Sequence, residues 1–278
     1  MPKIVPALIA ALLVAVPACK KKPAPTQPDS TPAPPPKATP APGQSTGTPP
    51  AQPLDPSLPS PPTQRPLYNF QITVAAGRTA ELENLKQIGL GFHAASDTIG
   101  GFPAGVADAN GKVGLSWRVA LLPFIEQDAL YKQFKLDEPW DSAHNKKLIP
   151  QMPKLYAPGN TNTFGYTFLR SFSGKGTVLG DAKLPPPGQV ARGVAPPVIS
   201  DGASNTLLVA EAYDPIIWTK PDEPFSAAAP PRLGGGVYGN GFCALFADGA
   251  ARFLPTNIPP ADIGSLIQIS DGRIVTLP

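Results

Sequence analysis

The sequence predicts an α+β domain, with an N-terminal amphipathic helix packed on an antiparallel β-sheet. Three observations carry this. Leu82, Leu85, Gly89 and Phe92 recur at helical spacing, and Ile88 and Ala95 widen the stripe. From residue 150 onward short apolar runs between Gly and Pro replace that pattern. Asp-Gly recurs at 201–202, 248–249 and 271–272, where strands would turn. Helices early and strands late define the α+β class.

The chain before this domain reads differently. Residues 1–19 have the pattern of a secretory signal: Lys3, an apolar run from Ile4 to Val16, then Val16-Pro17-Ala18-Cys19. The run is shorter than the roughly 20 apolar residues a membrane-spanning helix needs. A cysteine directly after the run, followed by Lys20-Lys21-Lys22, resembles the lipobox of bacterial lipoproteins. That resemblance implies cleavage before Cys19, lipidation of its thiol and an extracytoplasmic protein anchored to a membrane. Lys20 in place of Asp after the cysteine implies an outer-membrane or cell-surface address.

Residues 20–66 form a Pro-rich tether. Of the 40 prolines in the chain, 20 fall in the first 66 residues. With almost no large apolar side chain, this stretch is expected to be disordered, with extended polyproline II segments. Residues 67–278 remain for one domain. Its charges nearly balance, with 17 Lys+Arg against 18 Asp+Glu from Leu67 on. Nucleic acid is therefore not the expected partner. Cys243 is left alone for an apolar run, and His93 and His144 do not make a metal centre, so no cofactor is expected.

Within the domain, Leu67–Val74 alternates as an extended lead-in. The helix follows, leaving Glu81, Glu83, Lys86 and Gln87 mainly for the wet face, and Gly100-Gly101 stops it. Asp108-Ala109-Asn110-Gly111 is a turn. Ser116 is placed to cap a helix that Pro123 ends. A second short helix runs from Asp128 to Phe134, and Asp141 is placed to cap another at 142–149. Strands are expected at 166–168, 197–199, 206–210, 241–247, 251–254 and 273–277, with a two-residue turn at Asp248-Gly249. Residues 171–196 read as a long loop.

Few residues suggest chemistry. Glu211, after Leu207-Leu208-Val209-Ala210, reads as a buried carboxylate at a strand end, the acid whose titration deserves inspection. Trp140 and Trp218 are candidates for stacking on sugar rings. Asp201 and Asp248 precede Gly and read as turn residues. Ser200, Ser204 and Ser270 lack a Gly-x-Ser-x-Gly setting, and Gly234-Gly235-Gly236 lacks the Lys-Ser/Thr of a phosphate loop.

Five motifs in order carry a family likeness: Asn84-Leu85-Lys86-Gln87-Ile88-Gly89, Leu115-Ser116-Trp117-Arg118-Val119-Ala120-Leu121-Leu122-Pro123, Asp137-Glu138-Pro139-Trp140-Asp141, Ser200-Asp201-Gly202-Ala203-Ser204-Asn205-Thr206 and Leu245-Phe246-Ala247-Asp248-Gly249. Together they resemble the planctomycete prepilin-like family called domain of unknown function 1559. The resemblance implies a pseudopilin-like fold and a surface setting, without an established reaction. It also implies a histidine ten positions before the closing Asp, where this sequence has Tyr238. The expected function is that of a lipid-anchored envelope protein, not an enzyme, with a structural or protein-interaction role. An envelope polysaccharide-binding module is the alternative, and a hydrolase the third reading.

Overall fold

The computed structural model describes residues 71–157, 164–180, 184–225, 231–234 and 238–277. The described residues all belong to one compact unit, Pro53–Pro278. The protein is α+β, with helices and two antiparallel sheets.

Helix α1 spans Gln71–Ile99. Residues 71–74, expected as the end of an extended lead-in, are therefore helical, and 67–70 lie outside the described residues. Alternation over so few positions does not separate a strand from the first turns of a helix. The face of α1 turned inward holds Glu81, Leu85, Ile88, Phe92 and Ala95, none more than 1% exposed. Glu83, Lys86 and Gln87 are exposed, but Glu81 is not. It lies four residues before Leu85 and so shares its face. A Cβ on Gly91 would lie 2.8 Å from Ile125 Cγ2, so the missing side chain is what lets the next segment approach the helix. The helix ends where Gly100 takes a φ of +81° and donates its N–H to Ser96 O at 2.8 Å.

Strands β1 (Pro103–Ala107) and β2 (Val113–Leu115) form a hairpin. Its turn is set by Asp108, whose Oδ1 accepts the N–H groups of Asn110 at 2.9 Å and Lys112 at 3.0 Å. Helix α2 (Trp117–Ala120) follows β2, then a 3-10 turn at Leu122–Phe124 around Pro123, then helix α3 (Asp128–Tyr131). Ser116 stands before α2 without capping it by its side chain, because its hydroxyl is bonded elsewhere. Nor does Asp141 cap a helix. The next helical segment is a 3-10 stretch, Asn145–Gln151, with His144 before it. Buried Asn145 instead closes the 135–139 turn, donating to the carbonyls of Lys135, Glu138 and Pro139.

Strands β3 (Tyr166–Ser171), β5 (Leu207–Ile217), β6 (Gly241–Phe246) and β7 (Ala251–Pro255) form a sheet in the order β3-β5-β6-β7. A smaller sheet runs β2-β1-β4, where β4 is Val190–Arg192. The expected loop at 171–196 thus contains a strand and core residues, Val178 and Leu179 being buried. Residues 196–198 form a 3-10 turn in place of a strand, as Pro196-Pro197 removes two ladder donors. Residues 273–277 form no strand; Val275 N–H donates to Asn205 Oδ1 at 3.3 Å. The β6–β7 connection spans Ala247, Asp248 and Gly249, with Phe246 N–H donating to Ala250 O at 2.9 Å. It is one residue wider than the two-residue turn expected.

Alternation along β6 divides the core between the faces of the larger sheet. Cys243, Leu245 and Ala247 join the cluster that contains Leu85, Ile88 and Phe92 of α1. Phe242, Ala244 and Phe246 join Ile263, Leu266 and Ile267 of helix α4 (Pro260–Ile267). The sequence reading missed α4, whose apolar spacing lies between Pro-rich and Asp-Gly turns.

Gly193, directly after β4, packs its backbone tightly on the Val178–Leu179 segment. A Cβ there would lie 2.4 Å from Val178 O and 2.7 Å from Leu179 Cα. Gly193→Ala should lower unfolding free energy by about 2–3 kcal/mol, as overpacking against backbone does. Gly111→Ala, at φ +70° with nothing within 4 Å, should lower it by about 1 kcal/mol through left-handed strain alone. Urea unfolding of the two variants checks the order, and the reverse ranking would contradict the packing described.

Candidate functional site

An arginine inside an apolar run has to find a counter-charge or leave a buried ion uncompensated. Arg118 occupies that position, fully buried within Leu115–Leu122. Its Nη2 lies 3.1 Å from Asp222 Oδ2, and the Asp222 side chain is 2% exposed. The same carboxylate accepts Arg170 Nε, Trp117 Nε1–H at 2.9 Å and Ser171 N–H at 3.2 Å. Arg118 also donates from Nε to Leu169 O at 3.1 Å, and its guanidinium lies 4.6 Å from the Trp117 ring centroid. Burial alone would push the Asp222 carboxyl up. The charges of Arg118 and Arg170 overcome it and hold the group below the usual carboxylate range.

Bonds around this centre tie distant segments together. Tyr156 OH donates to Arg118 O at 2.9 Å, and Ser116 Oγ donates to Trp218 O at 2.7 Å. Trp218 Nε1–H donates to Ile149 O at 2.9 Å, and its ring stacks on Tyr156. Arg170, on β3, reaches the surface from this centre with 22% of its side chain exposed. There it lines a cleft of about 350 Å³ with Phe172, Asp214, Glu223, Phe225 and Arg232.

A second buried polar group lies under α1. Glu81 and Glu211 are each 1% exposed. Glu211 Oε2 accepts Cys243 N–H at 3.4 Å, and Tyr238 OH is buried near Gly77 of α1. Burial, reinforced by the charges of Glu211 and Glu81, pushes the Cys243 thiol up; the same causes raise the Tyr238 phenol. Neither is a poised nucleophile.

The residues singled out from the sequence do not converge. Cys19 lies outside the described residues. Trp218 is fully buried and its ring has no solvent-facing side. Trp140 is half-buried with Lys220 Nζ 5.9 Å from its ring centroid. Glu211 sits within β5 rather than at a strand end. Among the described residues no group of three His, Cys, Asp or Glu side chains is placed to hold a metal ion. The Asp-Gly pairs serve architecture. Asp201 accepts the N–H groups of Asp271 at 2.7 Å and Gly272 at 3.1 Å, joining the two Ile-Ser-Asp-Gly copies. Asp222, between Pro221 and Glu223, was not singled out from the sequence. The arginine in the apolar run was the signal that an acid had to come from elsewhere.

Removing Asp222 should be costly. Asp222→Asn is expected to lower unfolding free energy by about 3–5 kcal/mol at pH 7, because Arg118 stays buried without its counter-charge. A depressed folded-state pKa contributes stability above the unfolded value, about 3.9, that is lost as pH falls through the folded value. The gap between wild type and variant should therefore narrow as pH falls below about 4. Urea unfolding at pH 7 and pH 3 checks both, and a gap independent of pH would count against this ion cluster.

No curated protein and no solved structure matches the chain. The family profile described as "Protein of unknown function (DUF1559)" matches residues 75–239. That interval runs from α1 to Gly239, and includes the Arg118–Asp222–Arg170 centre, Glu81, Glu211 and Tyr238. The chain belongs to the DUF1559 family of proteins of unknown function.

Proposed function

We propose that this is a lipid-anchored cell-envelope protein whose α+β domain acts through protein contacts rather than through a reaction. One observation carries the reading: Cys19 directly follows an apolar run and directly precedes Lys20-Lys21-Lys22 and the Pro-rich segment 20–66. Lipidation at Cys19 would place a membrane at one end of an extended tether and the family domain at the other. Several acyl chains hold a protein stably where one is marginal. A polyproline-rich spacer, at about 3.1 Å per residue, would hold the domain well clear of the bilayer.

The pseudopilin likeness belongs to the same proposal. It is supported by a long helix, α1, whose inward face packs on strands β6 and β7 of an antiparallel sheet. Pseudopilins assemble through an apolar extension of that helix. Here the segment before it is rich in proline, so filament assembly is not part of the reading. The polysaccharide alternative gains nothing from Trp218, whose ring is inside.

Membrane fractionation and mass spectrometry of the mature N-terminus test the anchor. Wild type should pellet with membranes and carry a diacylated Cys19, whereas Cys19→Ala should move to the soluble fraction. Wild type and variant both soluble with an unmodified N-terminus would overturn it.

A further inference from the structure

Two guanidinium groups share one carboxylate at the Arg118–Asp222–Arg170 centre, which leaves one positive charge uncompensated. Arg118 is fully buried, so the excess is presented by Arg170 at the cleft. Arg170 uses Nε on Asp222, and among the described residues its remaining N–H groups have no hydrogen-bond partner. Arg232 lines the same cleft with its guanidinium 3.5 Å from the centroid of the Tyr213 ring, and among the described residues it forms no ion pair. Asp214 and Glu223 are also on the lining and also unpaired among the described residues. Two cations and two carboxylates thus face one cleft without neutralising one another.

The geometry points to a binding site for a small zwitterion, an α-amino acid or a short unblocked peptide. The ligand carboxylate is held by Arg170 and Arg232, whose planar forks match carboxylates. Its ammonium group is held by Asp214 and Glu223. Phe172 and Phe225, edge to face at 6.5 Å between centroids, supply an apolar wall for its side chain. The cleft volume of about 350 Å³ falls in the range of small-molecule sites. Inorganic phosphate would satisfy the arginines but would be repelled by Asp214 and Glu223, so a simple anion fits less well. This site is independent of the lipid anchor and adds a ligand to a domain proposed to act through contacts.

Titration calorimetry on the full chain in detergent micelles tests it. The probes are the standard L-α-amino acids singly, the dipeptide Leu-Leu, N-acetyl-leucine amide and inorganic phosphate. Saturable binding is expected for at least one free amino acid or for Leu-Leu below about 10 mM, and the tighter of the two identifies the source. Arg232→Ala and Glu223→Gln should each weaken it about tenfold, as the loss of one charge-assisted contact does. Both side chains are exposed, and thermal melts should match wild type. No saturation by any unblocked probe, equal binding of the blocked amide or of phosphate, or unchanged affinity in both variants would overturn the proposal.

Discussion

Burying Arg118 constrains more of this fold than any other single choice in the sequence. The guanidinium sits in a four-residue helix between a short hairpin strand and a proline turn, where water does not reach it. A carboxylate therefore has to be delivered from elsewhere in the chain, and Asp222, 104 residues later, is the one that arrives. To bring it there, the chain runs on past the end of β5 at Ile217 and meets Ser116, the residue before α2. Ser116 reads that approach twice, through Thr219 O at 2.9 Å and Trp218 O at 2.7 Å. Trp117 of α2, with Arg170 and Ser171 of β3, then completes the acid's shell. A buried ion cluster of this kind does not by itself make a protein more stable than an apolar core would. In this domain it fixes which segments meet, and so positions β3 against the start of the helical segment.

How much of this was readable beforehand depends on where each partner lies. The class, the existence of the main strands, the stop at Gly100 and the turns at Asp108 and Asp248 follow from local pattern and were legible. Glu81 was misjudged although the signal was local: counting back four from Leu85 puts it on the inward face. The 273–277 strand failed for another reason. Its apolar pattern is strand-like, but Asn205 satisfies its backbone at both Arg273 O and Val275 N–H, which removes the need for a ladder. Asp222 was illegible as a partner because nothing near it in sequence requires it. What was legible was the other half, an arginine among Leu, Trp, Val and Ala. Helix α4 lies in between: its apolar residues are evident, but only Phe242, Ala244 and Phe246 on the outer face of β6 show that a second layer is needed.

The larger sheet is thus covered on both faces, by α1 on one and α4 on the other. Polar groups are treated differently under the two. Under α4 the contacts are apolar. Under α1, Glu81 and Glu211 stand near a phenol and a thiol whose ionisation they oppose. Tyr238 occupies the position at which the family resemblance implies a histidine. A histidine there would meet the same two carboxylates with a group able to become cationic, whereas tyrosine meets them as a neutral hydroxyl.

The charge arithmetic of the Asp222 centre has a consequence at the surface. Were Arg118 and Asp222 a simple pair, Arg170 would be an ordinary half-exposed side chain free to swing into solvent. With the acid already shared, Arg170 is fixed by its Nε while its charge stays largely unanswered. The electrostatic demand created in the core is therefore passed outward to the cleft, where Arg232, 3.5 Å from the Tyr213 ring centroid, doubles it. Asp214 and Glu223 are close enough to share that cleft yet pair with neither arginine among the described residues. Neutral overall but divided by sign, the cleft favours a partner divided in the same way. Selectivity of that kind comes from the second charge, because a partner lacking it leaves one pair of like groups facing each other across the lining.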